Sequence, residues 1–385
     1  MMSGMRLFAS RFPSENKEDL VVFLRYIESV FGVPLAAIRD GGTGIVNALT
    51  DVFPDMYQVY CHFHFLRALG HALFDYYHKR FKNGMNSLGV NGKLHHLYRL
   101  VCKQKGRCQK PFVSGVLNEL SELLEYVLNY SGEGLCYPFE LRVLRFYEKC
   151  IEIEKPVHDL VKKCAKEYVY LKSLCDVQKT LRLLHSPPRV RGRIHRDAER
   201  LRNREKWFNK SREALRWRNG PVPLSTQIQW SDKELQKARR GINDFLSTLK
   251  SEQENKDNSK SLIRGLGIIE DRFTKYQDNL LVPNIKIETS KGEKIIELER
   301  TNNSVETDFR ACRRHARRLR GDKNVEGIIQ REGVGLLLLL NMNISQYVQI
   351  VYGSWECMGK RFSKVEEKSL EHADLLLKGH NPWRA

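Results

Sequence analysis

Two acidic residues in this sequence stand where a carboxylate can do metal-assisted chemistry. Asp40 closes the short apolar run Leu35-Ala36-Ala37-Ile38 and opens the glycine-rich turn Gly41-Gly42-Thr43-Gly44. In open α/β sheets sites form outside the carboxyl ends of strands, and a carboxylate there can hold a divalent cation. An Asp also starts turns and caps helices, so its position leaves both roles open. Glu306 follows Arg300-Thr301-Asn302-Asn303, 266 positions further on. Asn303-x-x-Glu306 has capping-box spacing, in which the carboxylate only accepts from a backbone N–H. Against that, Arg310, Arg313, Arg314 and Arg317 share one helix face with Glu306. So many guanidinium groups beside one carboxylate leave positive charge that a phosphate backbone would neutralise.

Cys61-His62-Phe63-His64 has Cys-x-x-His spacing, which is half of a zinc site. Cys102 and Cys108 near His95 and His96 supply no regular second half. Cys61 and His64 are therefore read as packing and hydrogen-bonding beneath the active face. From Arg189 to Arg218 basic residues crowd the chain, with Trp207, Phe208 and Trp217 interleaved. Arg200, Arg202, Arg204, Lys206, Trp207 and Trp217 are the candidates there for contact with nucleic acid: cations for phosphates, rings for exposed bases. The rival reading is a solvated helix face anchored by its tryptophans. Walker, dinucleotide-binding, serine-elbow and zinc-protease signatures are absent, and the glycine turn lacks the lysine of a phosphate-binding loop.

The elements that must position these residues fall into three stretches. In the first, Arg6 to Arg11 reads as the end of a strand. A helix follows with Leu20, Phe23, Leu24, Ile27 and Phe31 at a period near 3.6, ended by Gly32. Leu35 to Ile38 suits a strand buried on both faces. The next helix turns Ile45, Val46 and Leu49 inward, Tyr57 to Cys61 reads as a strand, and His64 to Tyr77 as a helix. Strand–helix–strand–helix at this spacing implies parallel pairing. Residues 76–295 then carry long helical patterns such as Val116-Leu117-Leu120-Leu123-Leu124-Val127, broken at Ser186-Pro187-Pro188 and Pro221-Val222-Pro223, with a polar loop over Ser251 to Lys260. That is too long for a connection between sheet elements, so it reads as a helical insertion domain. From 296 the chain returns to the first domain, with a helix from Asn303 to about Leu319 stopped by Gly321, and 325–385 reads as helical covering elements.

The chain has 385 residues and a formal net charge of +19, which favours a polyanionic partner. With 41% hydrophobic residues it is too apolar for a disordered chain. Nine scattered cysteines argue for reduced thiols rather than a disulfide framework. No apolar run reaches the ~18 residues of a membrane span and no signal peptide is evident, so a cytoplasmic, nucleoid-associated protein is expected.

Taken together, the pieces resemble a DDE transposase with an RNase H-like core, of the bacterial insertion-sequence and Mutator-like group. Three motifs carry the resemblance: Ile38-Arg39-Asp40-Gly41 followed by Ala48-Leu49 and Phe53-Pro54; Gln58-Val59-Tyr60-Cys61-His62-Phe63-His64; and Arg300-Thr301-Asn302-Asn303 with Glu306, Phe309 and the arginines after it. The resemblance implies an incomplete mixed-sheet α/β core over 1–75 and 296–385, a large all-α insertion over 76–295, and a helix-rich chain overall. It makes Asp40 the second catalytic Asp and Glu306 the final Glu, both ligands of Mg²⁺. It implies cleavage and strand transfer of double-stranded DNA at mobile-element ends, by a homodimer on DNA, with Trp207, Trp217 or Trp230 stacking on a base. The family's first Asp belongs on a strand preceding Arg6 to Arg11, and Asp19 falls inside the first helix pattern. This chain is therefore expected to lack one catalytic carboxylate and its first core strands. The alternative is a catalytically dead, DNA-binding transposase remnant with an interaction or regulatory role.

Overall fold

The computed structural model describes residues 14–129, 136–164, 168–185, 188–216, 229–321, 338 and 340–363. The strand end expected at Arg6 to Arg11, Trp217, Ser186-Pro187, the Pro221–Pro223 break and much of 325–385 lie outside them. The described chain is helix-rich with only small sheets. It divides into two compact units: Met1–Phe65 with Val222–Arg240 and Lys275–Ala385, and Leu66–Pro221 with Gly241–Thr274.

The first unit opens with α1 (Lys17–Phe31). Its start is fixed by Asn16, whose side chain accepts from Asp19 N at 2.9 Å, and Gly32 ends it with φ of 79°. Strand β1 (Ala36–Arg39) leads through the glycine turn into α2 (Thr43–Val52), and β2 (Tyr57–Tyr60) follows. β1 and β2 pair in parallel, with Ala36 opposite Tyr57 and Arg39 opposite Tyr60. Side chains alternate across this pair as period two demands. Ala37 packs with Leu20, Leu24, Ala48, Leu49, Val52, Phe53 and Met56 from α1 and α2. Ala36 and Ile38 pack the other way, with Val59, Val282, Leu298, Ile285 and Ile296. Each fully buried Leu or Val here contributes about 1.5–3 kcal/mol, enough to hold four-residue strands that backbone pairing alone would not.

The second face is built by an antiparallel hairpin, β3 (Ile285–Thr289) and β4 (Gly292–Ile296), with Gly292 at φ of 106°. This corrects the helical reading of that stretch. The alternation Ile285-Lys286-Ile287 with Ser290-Lys291-Gly292 after it is a hairpin signal hidden by the long helices before it. The helices α11 (Asn303–Arg320), α12 (Ser345–Tyr352) and α13 (Met358–Phe362) follow.

The second unit is helical. It takes most of α3 (His62–Leu88), then α4 (Val90–Lys105), α5 (Pro111–Leu128), α6 (Arg142–Lys163), α7 (Tyr168–Arg182), a 3₁₀ turn at Leu183–His185 and α8 (Pro188–Ala214). Parts of α9 (Asp232–Glu254) and α10 (Lys260–Leu280) complete it. α9 runs through Ser251, so the polar loop is confined to 255–259.

The glycine turn after β1 is shaped by packing. A methyl group on Gly41 would meet the Tyr60 hydroxyl, and one on Gly44 would meet the backbone carbonyl of Glu15. The Glu15 backbone cannot yield without moving the start of α1. Gly44→Ala is expected to destabilise the fold by about 1–3 kcal/mol, the usual cost of overpacking. Asn47→Ala, at an exposed position of α2, should change it by less than about 0.5 kcal/mol. Urea denaturation followed by circular dichroism checks both, and equal midpoints would refute the packing argument.

Candidate functional site

The site is built at the carboxyl ends of β1 and β2. Asp40 leaves β1 with its carboxylate held in a tight turn, Oδ1 accepting from Gly42 N at 3.0 Å. Behind it Arg39 is 6% exposed. Its Nε donates to Gln58 Oε1 at 2.7 Å and its Nη1 to the Asp40 carbonyl at 3.0 Å, while its guanidinium lies 5.7 Å from the centre of the Tyr60 ring. Burial pulls the Arg39 pKa down, and the Tyr60, Tyr276 and Asp40 oxygens partly restore it.

The strand ladder continues past β2. Cys61 N donates to the Arg39 carbonyl at 2.8 Å, and His62 N donates to the Arg300 carbonyl at 2.9 Å. The second bond docks the segment before α11 onto the start of α3. The Cys61 thiol donates to Asn302 Oδ1 at 3.1 Å and receives Asn302 N at 3.5 Å. Burial pushes the Cys61 thiol up, and the Glu306 carboxylate adds to this against hydrogen bonds from the His64, Asn302 and Phe63 backbone. A protonated, buried thiol of this kind is structural and not a nucleophile.

One turn into α3, His64 Nε2 meets Glu306 Oε1 at 3.3 Å. Asn302 is the N-cap of α11, and its side chain makes no cap hydrogen bond because it is turned to Cys61. The helix is therefore capped at Asn302 and not at Asn303, the expected position. Glu306 faces His64 instead, with a third of its side chain exposed. His64 Nδ1 is buried and has no partner among the described residues.

Beneath lies a knot of buried polar groups. Arg300 is fully buried beside the Trp230 ring, 5.9 Å from its centre, and donates to Asn284 Oδ1 at 3.4 Å. Asn284 also accepts from Leu298 N at 3.2 Å and donates to the Trp230 carbonyl at 2.9 Å and to Asp232 Oδ1 at 2.8 Å. Burial lowers the Arg300 pKa to about 10. Trp230 is 5% exposed and sits edge-on to His62 at 5.2 Å, so it is a core residue here and not a free stacking face.

The structure thus brings Asp40, Cys61, His64, Asn302 and Glu306 to one end of the parallel pair. Arg39 and Asn302 carry no signal of these roles in the motifs that contain them. The pairing of Asn302 with Cys61 is a tertiary contact between residues 241 positions apart, and local spacing carries no signal for it. Among the described residues no group of three or more His, Cys, Asp or Glu side chains is gathered as metal ligands. On α11, Arg313, Arg314 and Arg317 are exposed and Arg310 partly so.

The basic helix α8 divides differently from the sequence reading. Arg204 is 5% exposed and donates to the carbonyls of Leu73 and Ser261, both at 2.9 Å. Trp207 is 4% exposed and packs toward Phe245. These two are interior residues, and no surface for DNA can be built from them. Arg202 pairs with Glu148 at 2.6 Å. Arg200 is partly exposed and Lys206 is exposed.

No protein-family model, curated protein or solved structure matches this chain.

His62 gives a pH signature for the packing under the site. Its Nε2–H donates to the Leu280 carbonyl at 2.9 Å, and burial lowers its pKa from 6.5 to about 4. The unfolded chain takes up this proton below pH 6.5 and the folded chain does so only near 4. Stability therefore falls as pH drops through that window, by about 3 kcal/mol at most for this group at 1.36 kcal/mol per pH unit. His62→Gln should lower stability at pH 7 and flatten the loss between pH 6.5 and 4. An unchanged acid slope in the variant, measured by urea titration at each pH, would contradict the buried neutral imidazole.

Proposed function

We propose that this chain is a DDE-type transposase with an RNase H-like core, acting on double-stranded DNA at mobile-element ends as a homodimer. The observation that supports the reading is the docking of Asn302 on Cys61 and of Glu306 on His64, at the strand ends where Asp40 emerges. The RNase H-like assignment rests on the motif resemblance together with the parallel β1–β2 pair.

Asp40 and Glu306 offer the hard oxygen donors that Mg²⁺ takes. Asp40 Oδ1 is committed to Gly42 N and Glu306 Oε1 to His64, which orients each carboxylate and leaves a second oxygen for a cation. Bound Mg²⁺ would supply Lewis acidity at the scissile phosphate and an activated water or DNA 3′-hydroxyl. The protein's own part is positioning. The Gly42 N–H fixes the Asp40 carboxylate, and the His64 imidazole fixes Glu306. Holding charged groups in place before the reaction removes reorganisation from the barrier. The arginines of α11, a turn or more beyond Glu306, neutralise the phosphates of the bound strand. Two copies are required because two element ends are joined to one target.

The test uses the full chain with supercoiled plasmid and Mg²⁺ or Mn²⁺. Asp40 and Glu306 are two of the three carboxylates that the resemblance calls for, so metal-dependent nicking is expected to be weak, and Asp40→Ala and Glu306→Ala should each abolish it. Duplex binding in gel shifts should be little changed. Duplex binding with no metal-dependent nicking by the parent protein would instead select the binding-only remnant. Nicking that survives Glu306→Ala would remove Glu306 from the site.

A further inference from the structure

Within the helical unit the ends of four helices meet around a cavity of about 480 Å³. α3 closes at Leu88, Gly89 turns the chain with φ of 64°, and α4 starts at Val90. The last turn of α5 and the first turns of α6 complete the lining. Its apolar part is Met85 and Val127, both buried, with Phe146 partly so. Its polar part includes Asn86, Asn91 and Arg142, all exposed. Among the described residues no Asp or Glu lines it.

Gly92 sets this cavity apart from an ordinary packing gap. It stands in the first turn of α4, where glycine weakens a helix relative to alanine. No positive φ requires it. No neighbour requires it either, because a methyl group built on Gly92 meets nothing within 4 Å. Gly92 lines this cavity and also a second one of about 520 Å³. Its missing side chain therefore leaves open space where the two adjoin. A cleft of this size, apolar with a few polar groups at its wall, suits a small organic ligand.

Charge selects the kind of ligand. Arg142 Nε lies 3.4 Å from Glu140 Oε2, and a guanidinium has five N–H donors, so it can serve Glu140 and a ligand together. Lys93 lines the second cavity, with its Nζ 3.4 Å from the Leu88 carbonyl and its Cε beside Gly89. Lys179 lines it too and is answered by Asp176 at 3.8 Å. Three cations against the two acids paired with them leave one positive charge over. A single negative charge on an apolar body matches that surplus and the apolar lining together.

We propose that this cavity binds a small monocarboxylate with an apolar body. Its carboxylate accepts from Arg142 and from the Asn86 and Asn91 carboxamides, and its body lies against Met85, Val127 and Phe146. Asp40 and Glu306 belong to the other unit, and the proposal draws nothing from the transposase reading.

The test is isothermal titration calorimetry of the full chain with cinnamate and with its uncharged isostere cinnamamide. Cinnamate should bind saturably at one site per chain. Cinnamamide should bind about 10-fold more weakly or less, the worth of a hydrogen bond to a charged group. Arg142→Gln should cost cinnamate the same factor. Gly92→Leu should abolish binding by filling the space, while its thermal midpoint equals or exceeds that of the parent, because leucine is the better helix former. Circular dichroism verifies that each variant is folded. The proposal is overturned if the parent shows no saturable binding, or if cinnamamide binds as well as cinnamate. Unchanged affinity in a folded Gly92→Leu or Arg142→Gln variant would overturn it as well.

Discussion

The hydrogen bond from His62 N to the Arg300 carbonyl, with the Cys61–Asn302 contact beside it, is the constraint on which the candidate site depends. β1 and β2 are only four residues long, and their carboxyl ends would be an unremarkable pair of turns by themselves. Docking of residues 300–302 changes that. It ties residues 300–302 to the end of β2 and delivers the first turn of α11 to the first turn of α3. Glu306 then meets His64 because both are one turn from the docked residues. The Arg300 side chain is buried with this docking, its Nη2 on Asn284 and its guanidinium beside the Trp230 ring, while its Nε and Nη1 have no hydrogen-bond partner among the described residues.

A division of labour follows between polar groups that hold the protein and polar groups that face outward. Cys61, His62, Arg300 and Arg204 look reactive or basic in sequence, and each is buried. Asp40, Glu306, Arg310, Arg313, Arg314 and Arg317 retain exposure. Buried polar groups must be hydrogen-bonded to offset desolvation, and Cys61, His62 and Arg204 find their acceptors on distant backbone or side chains. Asp40 and Glu306 are the carboxylates that the turn and the imidazole orient.

Much of the first unit is legible in the sequence because its signals are local. The Asn16 cap, Gly32 and the alternating strand and helix patterns each act within a few residues. Asp40 at a strand end follows from the same pattern. What is not legible is tertiary. The β3–β4 hairpin was masked by its long helical neighbours. Glu306 fits a capping box by spacing, and only the approach of His64 from another motif decides otherwise. Arg204 and Trp207 belong to a helix so rich in charge that its buried stripe of Ile194, Ala198, Leu201 and Phe208 is hard to see. A guanidinium satisfied by two carbonyls reads in sequence like one waiting for a phosphate.

The most direct measurement of the central claim is the position of a divalent cation relative to Asp40 and Glu306. Crystals grown with Mn²⁺ would reveal it by anomalous scattering. Density between the two side chains, with an oxygen of each within about 2.0–2.6 Å of the ion, is the predicted result. Carboxyl groups too far apart to share a cation, or Mn²⁺ bound elsewhere with Glu306 still on His64, would contradict the account.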